Sequence, residues 1–175
     1  MRKYFIYFMI YSFLGFVLER IINLIFLGEY WDNSVMVGPY QPLYGVGIIL
    51  AVILYDLFIS KLEHPLLKYS LLIVVAIITT AFSEFIHGEG FEFFQGYNLW
   101  NYNDTFTCNY PYVCVLPTSL FGILSDLSII FIHPIIKKLI DNMPKLFLKW
   151  LFLLSLLIFI IDGIYTFLFT LTETF

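Results

Sequence analysis

Charge is scarce in this sequence. Asp, Glu, Lys and Arg make up 13% of its 175 residues, about half the share of roughly 25% found in soluble domains. Positive charge is the scarcer sign, with nine Lys and Arg against thirteen Asp and Glu and a formal net charge of −4. A basic face is therefore missing, and no nucleic-acid partner is expected. Only two cysteines are present, too few for a disulfide-dense secreted scaffold. The phosphate-binding pattern Gly-x-x-x-x-Gly-Lys-Ser/Thr does not occur, so nothing in these residues hydrolyses ATP. No spacing repeats along the chain, and no segment is low-complexity.

Apolar side chains fill the gap. They account for 61% of the residues, and 21% are aromatic, including 20 Phe and 13 Tyr. The mean hydropathy is +0.89. A soluble domain of this size leaves too much of its surface in water to hide so much apolar area. The composition excludes a soluble enzyme and a disordered chain. It identifies an all-α integral membrane protein.

A spanning helix needs about 20 mostly apolar residues. Five runs qualify: Tyr4–Leu27, Leu43–Ser60, Leu66–His87, Pro111–Leu139 and Leu146–Leu171. They are continuous rather than alternating, which argues against a β-barrel. The expectation is a bundle of about five transmembrane helices forming a single polytopic domain over residues 1–175, in the cell (plasma) membrane. The first run begins with Arg2 and Lys3, as a signal peptide would. It lacks a small-x-small cleavage site, and Glu19 and Arg20 interrupt its far half, so it is read as a retained helix.

The basic residues orient the chain. Apart from Arg20, they lie at the start (Arg2, Lys3), between runs two and three (Lys61, Lys68) and between runs four and five (Lys137, Lys138, Lys145, Lys149). Cytoplasmic loops collect Lys and Arg, which puts the N-terminus inside and the C-terminus outside. The outer loops are acidic and aromatic instead, with Glu29, Tyr30, Trp31 and Asp32 in the first. The second holds Glu89, Glu92, Tyr97, Trp100, Tyr102 and Asp104. Cys108 and Cys114 fall on that outer side, where a disulfide is permitted. Two unpaired thiols are the expected state.

Ionisable residues inside the runs are the candidate functional groups. They are Glu19, Arg20, Glu84, Asp126 and Asp162. Each Asp, Lys or Arg at a helix centre costs about 2.5–3.5 kcal/mol on insertion scales, so such groups must face protein or a water-filled cavity. Their depth suggests one outward-facing polar pocket, in which Arg20 pairs with Asp162 or Glu84. Asp56 lies near the inner end of run two, within reach of Lys61. Glu84 and His87 are spaced i, i+3 on one helix face, but a lone pair of this kind falls short of a metal site. The expected reading there is a helix end broken by Gly88 and Gly90, followed by a loop that forms an interfacial helix around Gly90–Tyr97 or dips into the headgroup layer, as a lid over the polar pocket would. His133 before Pro134 reads as a bend or end of run four. No metal and no cofactor is expected.

Several segments carry a resemblance. They are Tyr11-Ser12-Phe13-Leu14-Gly15-Phe16-Val17-Leu18-Glu19, then Gly38-Pro39-Tyr40-Gln41-Pro42-Leu43-Tyr44-Gly45-Val46-Gly47, then Ser83-Glu84-Phe85. Leu99-Trp100-Asn101-Tyr102-Asn103, Val113-Cys114-Val115-Leu116-Pro117-Thr118-Ser119-Leu120-Phe121-Gly122 and Ile132-His133-Pro134 follow. In this order they resemble the bacterial type IV ABC-transporter family, called CmpB-like. The resemblance covers about Tyr4–Pro134, and the fifth run carries little signature. Gly38, Pro39, Pro42, Tyr44 and Gly45 form its most specific part. Trp100, Tyr102 and Cys114 mark the outer loop, where the pattern departs at Asn101, Asn103 and Asn109–Tyr112. From the residues themselves, Pro39 and Pro42 stiffen the approach to run two, and Gly45 and Gly47 permit close helix approach.

The resemblance implies a membrane subunit of an ABC-type transporter, with a separate ATPase subunit, other membrane subunits and an oligomeric assembly in the lipid bilayer. Enzyme activity is not indicated by any legible catalytic motif. An intramembrane enzyme acting on a lipid-linked substrate and a non-catalytic regulator are the alternatives.

Overall fold

The computed structural model describes residues 2–28, 34–96, 98–105 and 108–173. Among them every regular element is helical. Helix α1 is Arg2–Leu27 and α2 is Pro42–Leu57, followed by a 3-10 turn at Ile59–Lys61. Helix α3 is Pro65–Gln95, and α4 is a single turn at Tyr102–Thr105. Helix α5 (Val115–Leu127) passes through a π-helical turn at Ser128–Ile132 into α6 (His133–Asp141), and α7 is Lys145–Glu173. Five helical stretches are long and apolar enough to cross a membrane. The outer-loop residues Glu29, Tyr30, Trp31, Asp32 and Tyr97 lie outside the described residues, as does the side chain of Asp104.

Local chemistry explains the helix ends. Pro42 and Pro65 open α2 and α3, where a missing N–H costs nothing because first-turn N–H groups have no helical partner. The His64 ring accepts the Leu67 N–H at the start of α3. Gly96 closes α3 in the left-handed conformation with φ +76°, and its N–H bonds to the Glu92 carbonyl at 2.8 Å.

One expectation about helix ends is corrected and another is narrowed. Helix α3 runs unbroken through Gly88 and Gly90 to Gln95, and residues 90–95 are its last turns rather than a separate interfacial helix. Gly88 is buried against the Tyr112 ring, which a methyl group there would strike. Tertiary packing thus outweighs the helix penalty of roughly 0.5–1 kcal/mol for glycine. Of the two outcomes expected at Pro134, a bend or an end of the fourth span, the end does not occur, and the span stays helical to Asp141. The π turn just before the proline is the accommodation: the His133 N–H bonds to the Ser128 carbonyl, one residue further back than in an α-helix.

The chain divides into two compact units, Met1–Gly45 with Leu139–Phe175, and Val46–Lys138. In the first, α1 packs on α7 through aromatic edges: Phe5 meets Phe152 and Phe159, and Phe8 meets Phe159 at 5.3 Å between centroids. Lys3 pairs with Asp141. In the second, α3 packs on α5 where Gly122 sits directly on the Ile77 backbone. Ala51, Val52, Ile59, Leu72 and Ile129 form its apolar core, and Asp56 meets Lys137 at 3.9 Å.

Burial follows helical spacing. On the fourth span Thr118, Gly122, Asp126, Ile129, His133, Ile136 and Ile140 are buried at every third or fourth residue, with Pro117 and Ser125 beside them. On α3 the buried positions are Leu72, Ala76, Thr79, Ser83, Glu84 and Gly88. Lipid is as apolar as leucine, so helices gather here through small and hydroxyl side chains that permit close packing, not through a hydrophobic driving force. The outward faces are correspondingly greasy, with Phe131, Trp150, Ile161 and Leu168 all more than half exposed.

Candidate functional site

The specific Gly-Pro segment and the fifth helix build one polar cluster. Asp162 on α7 accepts hydrogen bonds from the Gly38 N–H at 2.8 Å, the Val37 N–H at 3.1 Å and the Thr166 hydroxyl at 3.3 Å. The Tyr40 hydroxyl donates to the same carboxylate. Gly38 is required by this approach, since a methyl group on it would collide with the Tyr40 ring and Asp162 Oδ2. The next residue, Gln41, donates its backbone N–H to the Ser12 carbonyl of α1 at 2.9 Å. Pro42 starts α2. Tyr44 then lies over Gly15, and Gly45 lies against Ser12 and the Phe8 carbonyl, both too close for a side chain. Pro39 stands exposed at the turn. Burial first, then the Asp162 bond and charge, hold the Tyr40 phenol above the usual tyrosine range.

Arg20 is buried elsewhere on α1. Its guanidinium lies 3.3 Å from the centre of the Phe16 ring, bonds to the Ser34 hydroxyl at 3.1 Å and reaches the Phe16 carbonyl at 3.4 Å. Asp162 takes its bonds from the 37–40 segment and Thr166, so the expected Arg20–Asp162 pair is replaced by a carboxylate held on neutral donors. Two backbone N–H groups and a phenol satisfy a carboxylate without a second buried charge. Glu19, beside Arg20, is half-buried and engaged.

The second unit holds its own polar cluster around Glu84, which is 2% exposed. One carboxylate oxygen accepts the Tyr102 hydroxyl at 2.7 Å, and the other accepts the Thr118 hydroxyl. Thr118 in turn accepts the Cys114 N–H at 3.1 Å, so its hydroxyl relays the start of α5 to Glu84. These partners, not Arg20, answer the expectation for Glu84. His87, one turn on, places Nδ1 2.8 Å from the Ser83 carbonyl, an arrangement that fixes its ring rather than offering it to a metal with Glu84. Among the described residues no three His, Cys, Asp or Glu side chains converge as a metal site.

The loop that carries Tyr102 to Glu84 is tied down. The Tyr102 N–H bonds to the Pro111 carbonyl at 2.8 Å, and the Trp100 indole N–H to the Tyr112 carbonyl at 3.2 Å. Tyr112 is fully buried, and its hydroxyl meets Glu92 and Asn98. The Tyr110 hydroxyl donates to Glu89, with its ring stacked on Phe85. Cys108 and Cys114 form a disulfide with Cα atoms 5.8 Å apart. This corrects the expectation of unpaired thiols: the turn at 109–113 folds back and brings the two residues together.

Asp126 stands apart from both clusters. It is 5% exposed on the buried stripe of the fourth span, and its Oδ1 has no hydrogen-bond partner. The five ionisable residues of the spans thus divide as Glu19, Arg20 and Asp162 in one unit and Glu84 and Asp126 in the other. Tyr40, Thr118 and Tyr112 were not singled out by the sequence. Tyr40 and Thr118 do lie within its motif segments, each carrying a hydroxyl near a proline or glycine. Tyr112, directly after Pro111, lies in the Asn109–Tyr112 stretch where the pattern departs.

Comparison with known proteins adds one finding. A family model described as "Putative ABC-transporter type IV" matches residues 6–167. The match runs past Pro134 through most of α7, so Asp162 and Thr166 fall within it. No curated protein and no solved structure matches the chain.

Proposed function

Because the chain belongs to the type IV ABC-transporter family matched over residues 6–167, we propose that it is a membrane subunit of a transporter whose ATPase is a separate chain. The observation that carries this reading is the family match together with the three acids held inside the spans. Asp162 and Glu84 are built into polar clusters and Asp126 is enclosed without a partner. Intramembrane acids facing protein mark substrate or ion pathways.

The rest of the reading follows from the same features. The subunit sits in the cell membrane of a bacterium, as a permease does, and works in an oligomer. The basic residues at the start and in the second and fourth connections support an internal N-terminus and an external C-terminus. The Cys108–Cys114 bond supports an oxidising, external location for the loop that carries it.

The test is to purify the tagged protein from its own host's membranes in mild detergent and identify the co-purifying chains by mass spectrometry. A stoichiometric ATPase is the expected result. A clean homo-oligomer or monomer without one rejects ATP-driven transport.

A further inference from the structure

Three acids of the spans, Glu84 and Asp126 buried and Asp162 half-buried, meet three different surroundings. Asp162 accepts four hydrogen bonds, and Glu84 accepts two from hydroxyls. Asp126 accepts none among the described residues, although at 5% exposure it is more enclosed than Asp162. The hydroxyl of Ser125, 6% exposed, is likewise without a hydrogen-bond partner. The π turn follows directly at Ser128–Ile132, an irregularity that recurs at functional sites in helices.

Many of the charged groups of the same unit have partners of their own. On α3, Glu84 holds Tyr102 and Thr118, His87 holds the Ser83 carbonyl, and Lys68 reaches the Ser60 carbonyl. Glu89 and Glu92 receive Tyr110 and Tyr112, and Tyr69 is about half exposed. On α2, Asp56 pairs with Lys137 of α6, and Tyr55 carries the Lys68 cation on its face. His133, two turns along the stripe, is buried and engaged.

A carboxylate enclosed at membrane depth without donor or counter-charge requires one positive charge to accompany it. A divalent ion would need six or so oxygen ligands, and no such group of acids converges here among the described residues. We propose that Asp126 is the binding site of a monovalent cation, a proton or a sodium ion, taken up and released in the fourth span. This deepens the transport reading, on which the use of the ion as a coupling ion rests. The binding itself does not depend on that reading.

The test uses the full chain in native membranes and dicyclohexylcarbodiimide, a membrane-soluble reagent that adds to a carboxylic acid and remains as an N-acylurea. Mass spectrometry then locates the adduct. The expected result is modification of Asp126, lost in Asp126→Asn. If the ion is a proton, modification falls by about tenfold per pH unit on the alkaline side. If it is sodium, NaCl protects Asp126 where choline chloride at the same strength does not. Asp126 left unmodified at every pH and salt overturns the proposal, and so does modification that responds to neither. The wild-type titration stands without any variant that folds poorly. An Asp126 adduct without a co-purifying ATPase keeps the ion site and removes ATP-driven transport; an ATPase with inert Asp126 does the reverse.

Discussion

The Tyr40 phenol donates its proton to the Asp162 carboxylate, joining residues 122 positions apart. With the Val37 and Gly38 N–H groups it lashes the entrance of α2 to the fifth helix. Tyr40→Phe keeps the ring and removes the donor. A hydrogen bond to a charged group contributes about 1.5–3 kcal/mol, so the variant should unfold at lower temperature in mild detergent. Asp162→Ala, which strands three further donors, should fall further. Equal stability of Tyr40→Phe and wild type would show that the phenol does not hold this segment.

Gly88 and Gly90 provide a paired test of packing on α3. Gly88→Ala pushes a methyl group into the Tyr112 ring, and overpacking of this kind costs typically 1–3 kcal/mol. Nothing lies within 4 Å of a methyl group at Gly90, so Gly90→Ala should instead gain about 0.5–1 kcal/mol from helix propensity. Thermal unfolding of the two variants should move in opposite directions.

Thr118 both accepts from Cys114 and donates to Glu84. Thr118→Val preserves the shape and leaves two buried groups short of a partner. Each such group costs about 1–3 kcal/mol. Thr118→Ser should recover most of the loss, and comparison of the three melting temperatures decides whether the hydroxyl or the methyl matters.

The Cys108–Cys114 bond makes a chemical prediction. A thiol reagent applied to denatured wild-type protein should label no cysteine before reduction and both after it. Disulfides typically contribute about 2–4 kcal/mol, and the double Cys→Ser variant should melt lower by a corresponding amount. Labelling of both thiols without reduction would refute the bond.

Tyr110 gives a pH dependence. Burial first, then the Glu89 bond and the charges of Glu89 and Glu92, push its phenol up from 10.0 to about 12. The folded state therefore holds this proton more tightly than the unfolded chain. Its stabilising contribution is complete below the unfolded value, and it is lost as pH rises from there through about 12. Phenolate absorbance of wild type minus Tyr110→Phe should show one group ionising near the upper value. Ionisation near the ordinary tyrosine value would show that the Glu89 contact is absent in solution.

The sequence by itself determined the five spans, the acids within them and the family. Each is a property of consecutive residues: transfer into lipid sums over a window of about 20, and a motif is read in order. Tertiary structure alone decided what those acids meet. Asp162 finds Tyr40, Glu84 finds Thr118 and Tyr102, and Cys108 finds Cys114 through approaches that no local pattern encodes. The same holds where local rules failed. Gly88 and Gly90 should weaken a helix and Pro134 should break one, yet α3 continues where Gly88 packs on Tyr112, and the π turn carries the fourth span past the proline. Local preferences amount to about 1–3 kcal/mol per residue, and packing against a distant segment is large enough to overrule them.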